Sequence, residues 1–165
     1  MKMTTVFLLI TAVLTALIAG LFYAYSCSVV LGLGKLSDTE YLKSMQSINR
    51  EILNPIFFLS FMGTAVLLPV TTFMFRGEQP AFLFLLLGSL AYLIGVFGVT
   101  MAGNVPLNDM LDKFNIGEAT TEAVKQMRDR FENRWNLLNN VRTVFSVISI
   151  ALVICACIWN RYQPE

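Results

Sequence analysis

Four stretches of this 165-residue chain carry no charged residue: Met3 to Gly34, Ile52 to Phe75, Gln79 to Asn108 and Thr143 to Asn160. Roughly 20 apolar residues suffice to cross a bilayer. Inside hydrocarbon, every backbone N–H and C=O must find its partner within the segment, which makes such runs helices. The reading is four spans, near Val6–Leu33, Pro55–Phe75, Ala81–Val105 and Val141–Trp159, forming an all-α transmembrane four-helix bundle within one domain, 1–165. Composition agrees: 14% of residues are charged and mean hydropathy is +0.64, against about 25% charged in a soluble domain. A cleaved signal peptide is the rival for the first stretch, since Lys2 precedes an apolar run with small residues at Ala16, Ala19 and Gly20. A signal h-region covers only about 7–15 residues, and this run continues past Tyr25.

Four crossings put both termini on one side, side A, with Lys2, Arg76 and Arg161. The opposite side, B, receives nine basic and nine acidic residues. The positive-inside rule points side B toward the cytoplasm, and in a bacterium the host membrane is the cell or inner membrane. The side-A connection, Arg76-Gly77-Glu78-Gln79, is a tight turn. Both side-B connections are long and helical in pattern, giving extramembrane segments near 38–53 and 121–140. Ser37-Asp38-Thr39-Glu40 is a capping box. Asn54-Pro55 suits either an N-cap with proline at the first helical position or a kink in one continuous helix. After a breaker at Asn115-Ile116-Gly117, Val124, Met127, Phe131, Trp135 and Leu138 share one helical stripe. No Pro or Gly follows before the fourth span, so that helix runs about 40 residues, or roughly 60 Å.

Spans associate in lipid through small residues and a few polar contacts. Ala12, Ala16, Gly20, Ala24, Ser28 and Gly32 form a four-residue ladder on span one. Gly88, Ala91, Gly95, Gly98 and Ala102 form a seam on span three. Both are read as bundle packing, although Gly20–Gly34 is also a candidate homo-oligomer contact with a second copy. Cys27 lies at the opposite depth from Cys155 and Cys157, which point about 200° apart on their helix. No disulfide or metal pair follows, and the three are read as packing residues.

Polar groups gather where the spans meet side B. Gln46, Arg50 and Asn54 share a helix face, with Asn49 beside them. Asn104 and Asn108 lie one turn apart, and Trp135, Asn139 and Arg142 form another face. Arg142 continues the stripe of Phe131, Trp135 and Leu138 and so faces protein at the membrane edge. Amide carbonyls, or a carboxylate such as Glu51 or Asp109, are its candidate partners. Two readings stand. Either these groups are interhelical glue, or they form a pocket in which Arg50, Arg142 and the amides stabilise an anion such as a phenolate or enolate. Arg142→Leu is tolerated if the side chain is only exposed surface and costs about 1–3 kcal/mol if it satisfies buried amide carbonyls.

At these residues the chain resembles a family of four-span integral membrane proteins that includes fungal anthrone oxygenases. The resemblance covers nearly the whole chain. It rests on a Gly in span one followed by a polar exit, on Met45-Gln46-x-x-Asn49, on Asn104-x-Pro106-x-Asn108, and on Arg134-Trp135 through Asn139-Asn140-Val141-Arg142-Thr143. The last is the most specific: members typically show Arg-Trp, three residues, then Asn-His-Val-Arg-Thr, and Asn140 stands here in the place of His. The family's characterised members oxidise an anthrone to an anthraquinone with dioxygen and without metal or flavin. The chain has no His, no Gly-rich nucleotide loop and no paired cysteines for haem or cluster, so no cofactor is expected.

The resemblance implies cofactor-independent oxidation of a small hydrophobic aromatic or quinone-like ligand. Asp109 or Glu51 would be the base and Arg142 the anion clamp, with Asn139 and Asn104. Trp135 would form the slot wall, and Asn108, Arg50 and Asn49 would complete the binding site. Asn140 cannot take the proton that imidazole would. The alternative is a non-catalytic four-span protein with a structural, partner-packing or lipid-binding role. Transport fits less well, because few ionisable groups lie within the spans and no inverted repeat is visible. The partners expected are the lipid bilayer and such a ligand. The balance of 12 basic against 11 acidic residues argues against nucleic acid.

Overall fold

Five helices account for almost all of the computed structural model, which describes residues 2–161, with side chains up to Trp159. The Arg161 side chain, counted above on side A, lies outside the described part. Helix α1 is Met3–Leu33, α3 Pro55–Met74 and α4 Ala81–Asp112, and each is long and apolar enough to cross a membrane. The fourth such helix, α5, runs without a break through Thr121–Arg161, 41 residues. The short α2, Asp38–Glu51, lies between the first two spans. The protein is therefore a multi-pass membrane protein built on four apolar helices.

Local chemistry sets the boundaries. Ser37 caps α2 in a complete capping box: Glu40 N–H donates to the Ser37 hydroxyl, and the Glu40 carboxylate accepts from Ser37 N–H at 3.1 Å. The Ser37 hydroxyl also donates to the Glu40 carboxylate at 2.6 Å, and this bond, with the one from Ser37 N–H, holds the Glu40 carboxyl below its ordinary range. Asn54 resolves the open question at Asn54-Pro55: its side-chain oxygen accepts from Ile56 and Phe57 N–H, and a new helix starts at Pro55. Span three runs past its expected end at Val105, continuing to Asp112. Pro106 has no N–H to give and its ring crowds the carbonyl four residues earlier. The helix absorbs this with a wide π turn at Thr100–Asn104 immediately before the proline.

Around the bundle the order is α1, α3, α4, α5 and back to α1. A hydrogen bond ties each adjacent pair. Thr11 meets Thr71 (2.8 Å) between α1 and α3, and Thr72 meets Ser89 (2.9 Å) between α3 and α4. Ser149 donates to the Gly88 carbonyl (2.9 Å) between α5 and α4, and Ser26 meets Thr143 (2.8 Å) between α1 and α5. Glycines at the α4–α5 seam let the backbones close: a Cβ at Gly88 would touch the Ser149 carbonyl, and one at Gly95 would collide with the Phe145 ring.

The ladder on span one is a correction. Ala16, Gly20, Ala24, Ser28 and Gly32 face outward, and nothing lies within 4 Å of a Cβ placed at Gly20 or Gly32. The face that packs is Leu8, Thr11, Thr15, Ile18, Ala19 and Phe22. Threonine hydroxyls and larger apolar groups fill that interface, which leaves the small residues facing away.

A second core sits at side B, where Tyr41, Leu42 and Met45 of α2 pack on Leu107 and Leu111 of α4 and on Val124, Phe131 and Trp135 of α5. Gln46 closes the C-terminus of α4 by donating to the Leu111 and Phe114 carbonyls, at 2.8 and 3.0 Å. That occupies carbonyls a helix end leaves without intrahelical partners. Arg128 of α5 clamps the exit of α1 through the Gly34 and Leu36 carbonyls and Asp38, and it pairs with Glu132 at 2.6 Å. Its guanidinium lies 4.6 Å from the centre of the Tyr41 ring.

Candidate functional site

Where the spans approach side B, two of them leave regular α geometry. Helix α1 widens into a π turn at Tyr25–Val29, and α4 does so at Ala91–Gly98 and again at Thr100–Asn104. Such turns re-aim side chains and recur at functional sites. Neither proline nor glycine accounts for the turn in α1. It coincides with the contact to α5, where Thr143 Oγ1 lies 3.0 Å from the Phe22 carbonyl and 2.8 Å from Ser26 Oγ.

Between these turns lies a cavity of about 230 Å³. Its floor includes Phe61 and Phe97, stacked at 5.6 Å. Its roof is the C-terminal part of α2 and the segment after it, with Ile48, Asn49 and Ile52. Tyr25, Phe22 and Leu21 of α1 and Trp135, Asn139 and Arg142 of α5 form the back. Phe57, Phe58 and Met62 of α3 and Met101, Val105 and Asn108 of α4 form the front.

Arg142 is the one charged residue on this lining, and it is only 6% exposed. Its guanidinium donates to Asn139 Oδ1 at 3.0 Å and reaches Thr100 Oγ1 at 3.4 Å, while Nε has no partner. The group lies 4.4 Å from the centre of the Phe22 ring and 5.4 Å from that of Trp135. No carboxylate faces it from the cavity wall. Asn139 is fully buried and oriented by its donation to Ser26 Oγ at 2.9 Å. Trp135 Nε1 donates to Asn108 Oδ1 at 2.9 Å, and the indole lies 5.9 Å from the Tyr25 ring.

Five of the residues singled out from sequence thus meet on one cavity: Asn49, Asn108, Trp135, Asn139 and Arg142. Others do not. Asn104 is buried with neither side-chain polar atom paired, yet it lies off the lining. Arg50 pairs with Asp112 at 2.6 Å on an exposed surface. Glu51 and Asp109 are exposed, and neither lines the cavity. Asn140 lies on the outer face of α5, so the absent imidazole removes nothing from the cavity wall. Among the lining residues that escaped sequence reasoning are two aromatics beside Arg142 and Trp135, Phe22 and Tyr25. Each is an aromatic in an uncharged span, distinguished only once α1 widens and packs on α5.

Among the described residues no cluster of three His, Cys, Asp or Glu side chains could hold a metal ion. All three cysteines are free. A family model described as anthrone oxygenase matches residues 56–152, more than half of the chain. The chain belongs to the anthrone oxygenase family. No curated protein and no solved structure matches it. Within the anthrone oxygenase match fall α3, α4 and most of α5, and with them Asn108, Trp135, Asn139 and Arg142. The match begins after α1 and α2, so Tyr25, Asn49 and the Met45-Gln46 stretch lie outside it.

Proposed function

We propose that this anthrone oxygenase-family member oxidises a small aromatic or quinone-like substrate with dioxygen, without a cofactor, by holding the substrate as its anion beside Arg142. The observation that carries this reading is a buried guanidinium with a free Nε and no carboxylate partner, set against an aromatic-lined void. A buried cation is normally paired. Here the missing negative charge is assigned to the substrate, whose phenolate or enolate oxygen the guanidinium and the Asn139 amide stabilise as charge develops. For an anthrone, the ring CH2 loses a proton, and the resulting carbanion adds dioxygen and takes up a proton from water. The hydroperoxide formed then eliminates water, leaving a ketone. One oxygen atom ends in the product and one in water, and the CH2 is oxidised as dioxygen is reduced. With Glu51 and Asp109 away from the cavity, the reading gives neither the role of base. The guanidinium makes the substrate more acidic, and its proton leaves to water past Asn49 and Asn108. The glue reading accounts for the Arg142–Asn139 and Trp135–Asn108 bonds but not for the void beside them.

The test is dioxygen uptake and quinone absorbance with dithranol, a dihydroxyanthrone, added to protein in lipid nanodiscs. Oxidation should exceed the protein-free rate and fall by about two to three orders of magnitude in Arg142→Leu, the loss typical of a removed oxyanion donor. Equal rates with and without protein would refute the activity for this substrate.

A further inference from the structure

The cavity is smaller than the roughly 300–1,000 Å³ common for sites that enclose a whole drug-sized ligand. A dry cavity of about 150 Å³ takes a single benzene ring, so 230 Å³ accommodates a two-ring head. Anything larger, the third fused ring of an anthrone included, must project through an opening. That opening is set by how α3 and α4 meet. They pack closely along Ala81–Leu90, less over Ala91–Gly98, and scarcely beyond Gly98. The Phe61–Phe97 stack is thus the last bridge before the two helices part. Past it, Phe58 (43% exposed), Met62 and Met101 (51% exposed) line the cavity and also reach the outer surface. The surface around them is apolar: Leu53, Ile56 and Leu59 are all well exposed. No charged residue lies on α3, or on α4 before Asp109. On the aqueous side, Ile48, Asn49 and Ile52 form the roof.

We infer that the gap between α3 and α4 is a portal to the bilayer, and that the ligand is a membrane-dissolved molecule with an acidic two-ring head and a hydrocarbon tail. The head lies under α2 with its anionic oxygen at Arg142, and the tail leaves between Met62 and Met101 into lipid. Methionine suits this mouth, because its unbranched, flexible thioether adapts to a passing chain. The inference rests on the anion-binding reading of Arg142 and adds to it the route, the size limit of the head and the tail.

The experiment uses Trp159→Phe protein in lipid vesicles, leaving Trp135 on the cavity wall as the sole tryptophan. Quenching by hydroxynaphthoquinone and by its undecyl derivative, each corrected for partition into lipid, gives two affinities. In Met62→Phe/Met101→Phe the ratio of tailed to tail-less affinity should fall by about tenfold, the scale on which a pocket rejects excess bulk. Phe58→Ala, which widens the mouth, should move the ratio the other way and serves if the double variant does not fold. If both compounds bind in an Arg142-dependent manner but the ratio changes less than threefold, the portal is wrong and the anion site stands. If neither compound quenches, or Arg142→Leu leaves quenching intact, the anion site fails and the portal with it.

Discussion

The two halves of the bundle treat buried polar groups in opposite ways. Toward side A these groups are hydroxyls, and they are satisfied. Thr11 meets Thr71, Thr72 meets Ser89, Thr64 bonds the Ser60 carbonyl, Ser149 that of Gly88, and Tyr92 that of Phe61. Toward side B they include amides, the Tyr41 phenol and a guanidinium, and several are left over. Each buried side-chain polar atom found without a partner among the described residues belongs to Tyr41, Asn49, Asn104, Asn136 or Arg142. The cavity and the wide turn of α1 lie in that same half. An unpaired polar group in a low-dielectric interior is costly, so one half is built for cohesion while the other carries groups whose hydrogen-bonding capacity is unused.

Arg142→Leu tests the contrast most severely. Oxidation should fall by the two to three orders of magnitude given above, while the thermal midpoint holds or rises. On sequence grounds this change costs stability. In the structure Arg142 has no carboxylate partner, and the expectation is that relief of an unpaired buried charge offsets the loss of the bonds to Asn139 and Thr100. A large drop in midpoint would return Arg142 to the status of glue. Gly95→Leu lies at the seam between the halves, where a side chain would displace the Phe145 ring. Overpacking of this kind costs about 1–3 kcal/mol, to be read as a lower midpoint in detergent. A smaller effect is expected in the satisfied half: Thr71→Val removes the hydroxyl that meets Thr11 and should cost about 0.6 kcal/mol, the average for interhelical bonds in membranes, with ligand binding unchanged.

Glu40→Gln should have the mildest consequence, visible only in acid. The folded-state value of Glu40 is depressed by its bonds to Ser37. Its stabilisation is therefore complete above the ordinary carboxylate value and is lost as pH falls through the depressed one. The variant should flatten the acid limb of the melting curve and leave neutral pH little affected.

Much of this architecture is legible without coordinates, because lipid imposes it. Uncharged stretches locate the four apolar helices, Ser37 and Asn54 mark two helix starts, and the absence of Pro and Gly from Thr121 onward yields the long α5. Side-chain direction is harder. A ladder of small residues on α1 reads as a packing face, yet lipid accepts Ala and Gly as readily as a helix does, and the hydroxyls of Thr11 and Thr15 hold the inner face instead. In the site, spacing gathers Trp135, Asn139 and Arg142 on one side of α5. It cannot separate Asn49, which reaches the cavity, from Arg50, drawn outward by Asp112. It cannot identify Tyr25 either, an aromatic in an uncharged span whose place shows only where α1 widens and packs on α5.

Arg128 and Arg142 belong to the same unbroken rod, about 21 Å apart at 1.5 Å per residue. One grips the end of α1 outside the membrane, and the other stands at the wall of the void within it. A twist or slide of α5 therefore acts on both at once. The outer grip and the inner charge are thus carried on one continuous helix, and a rigid displacement of α5 would move both.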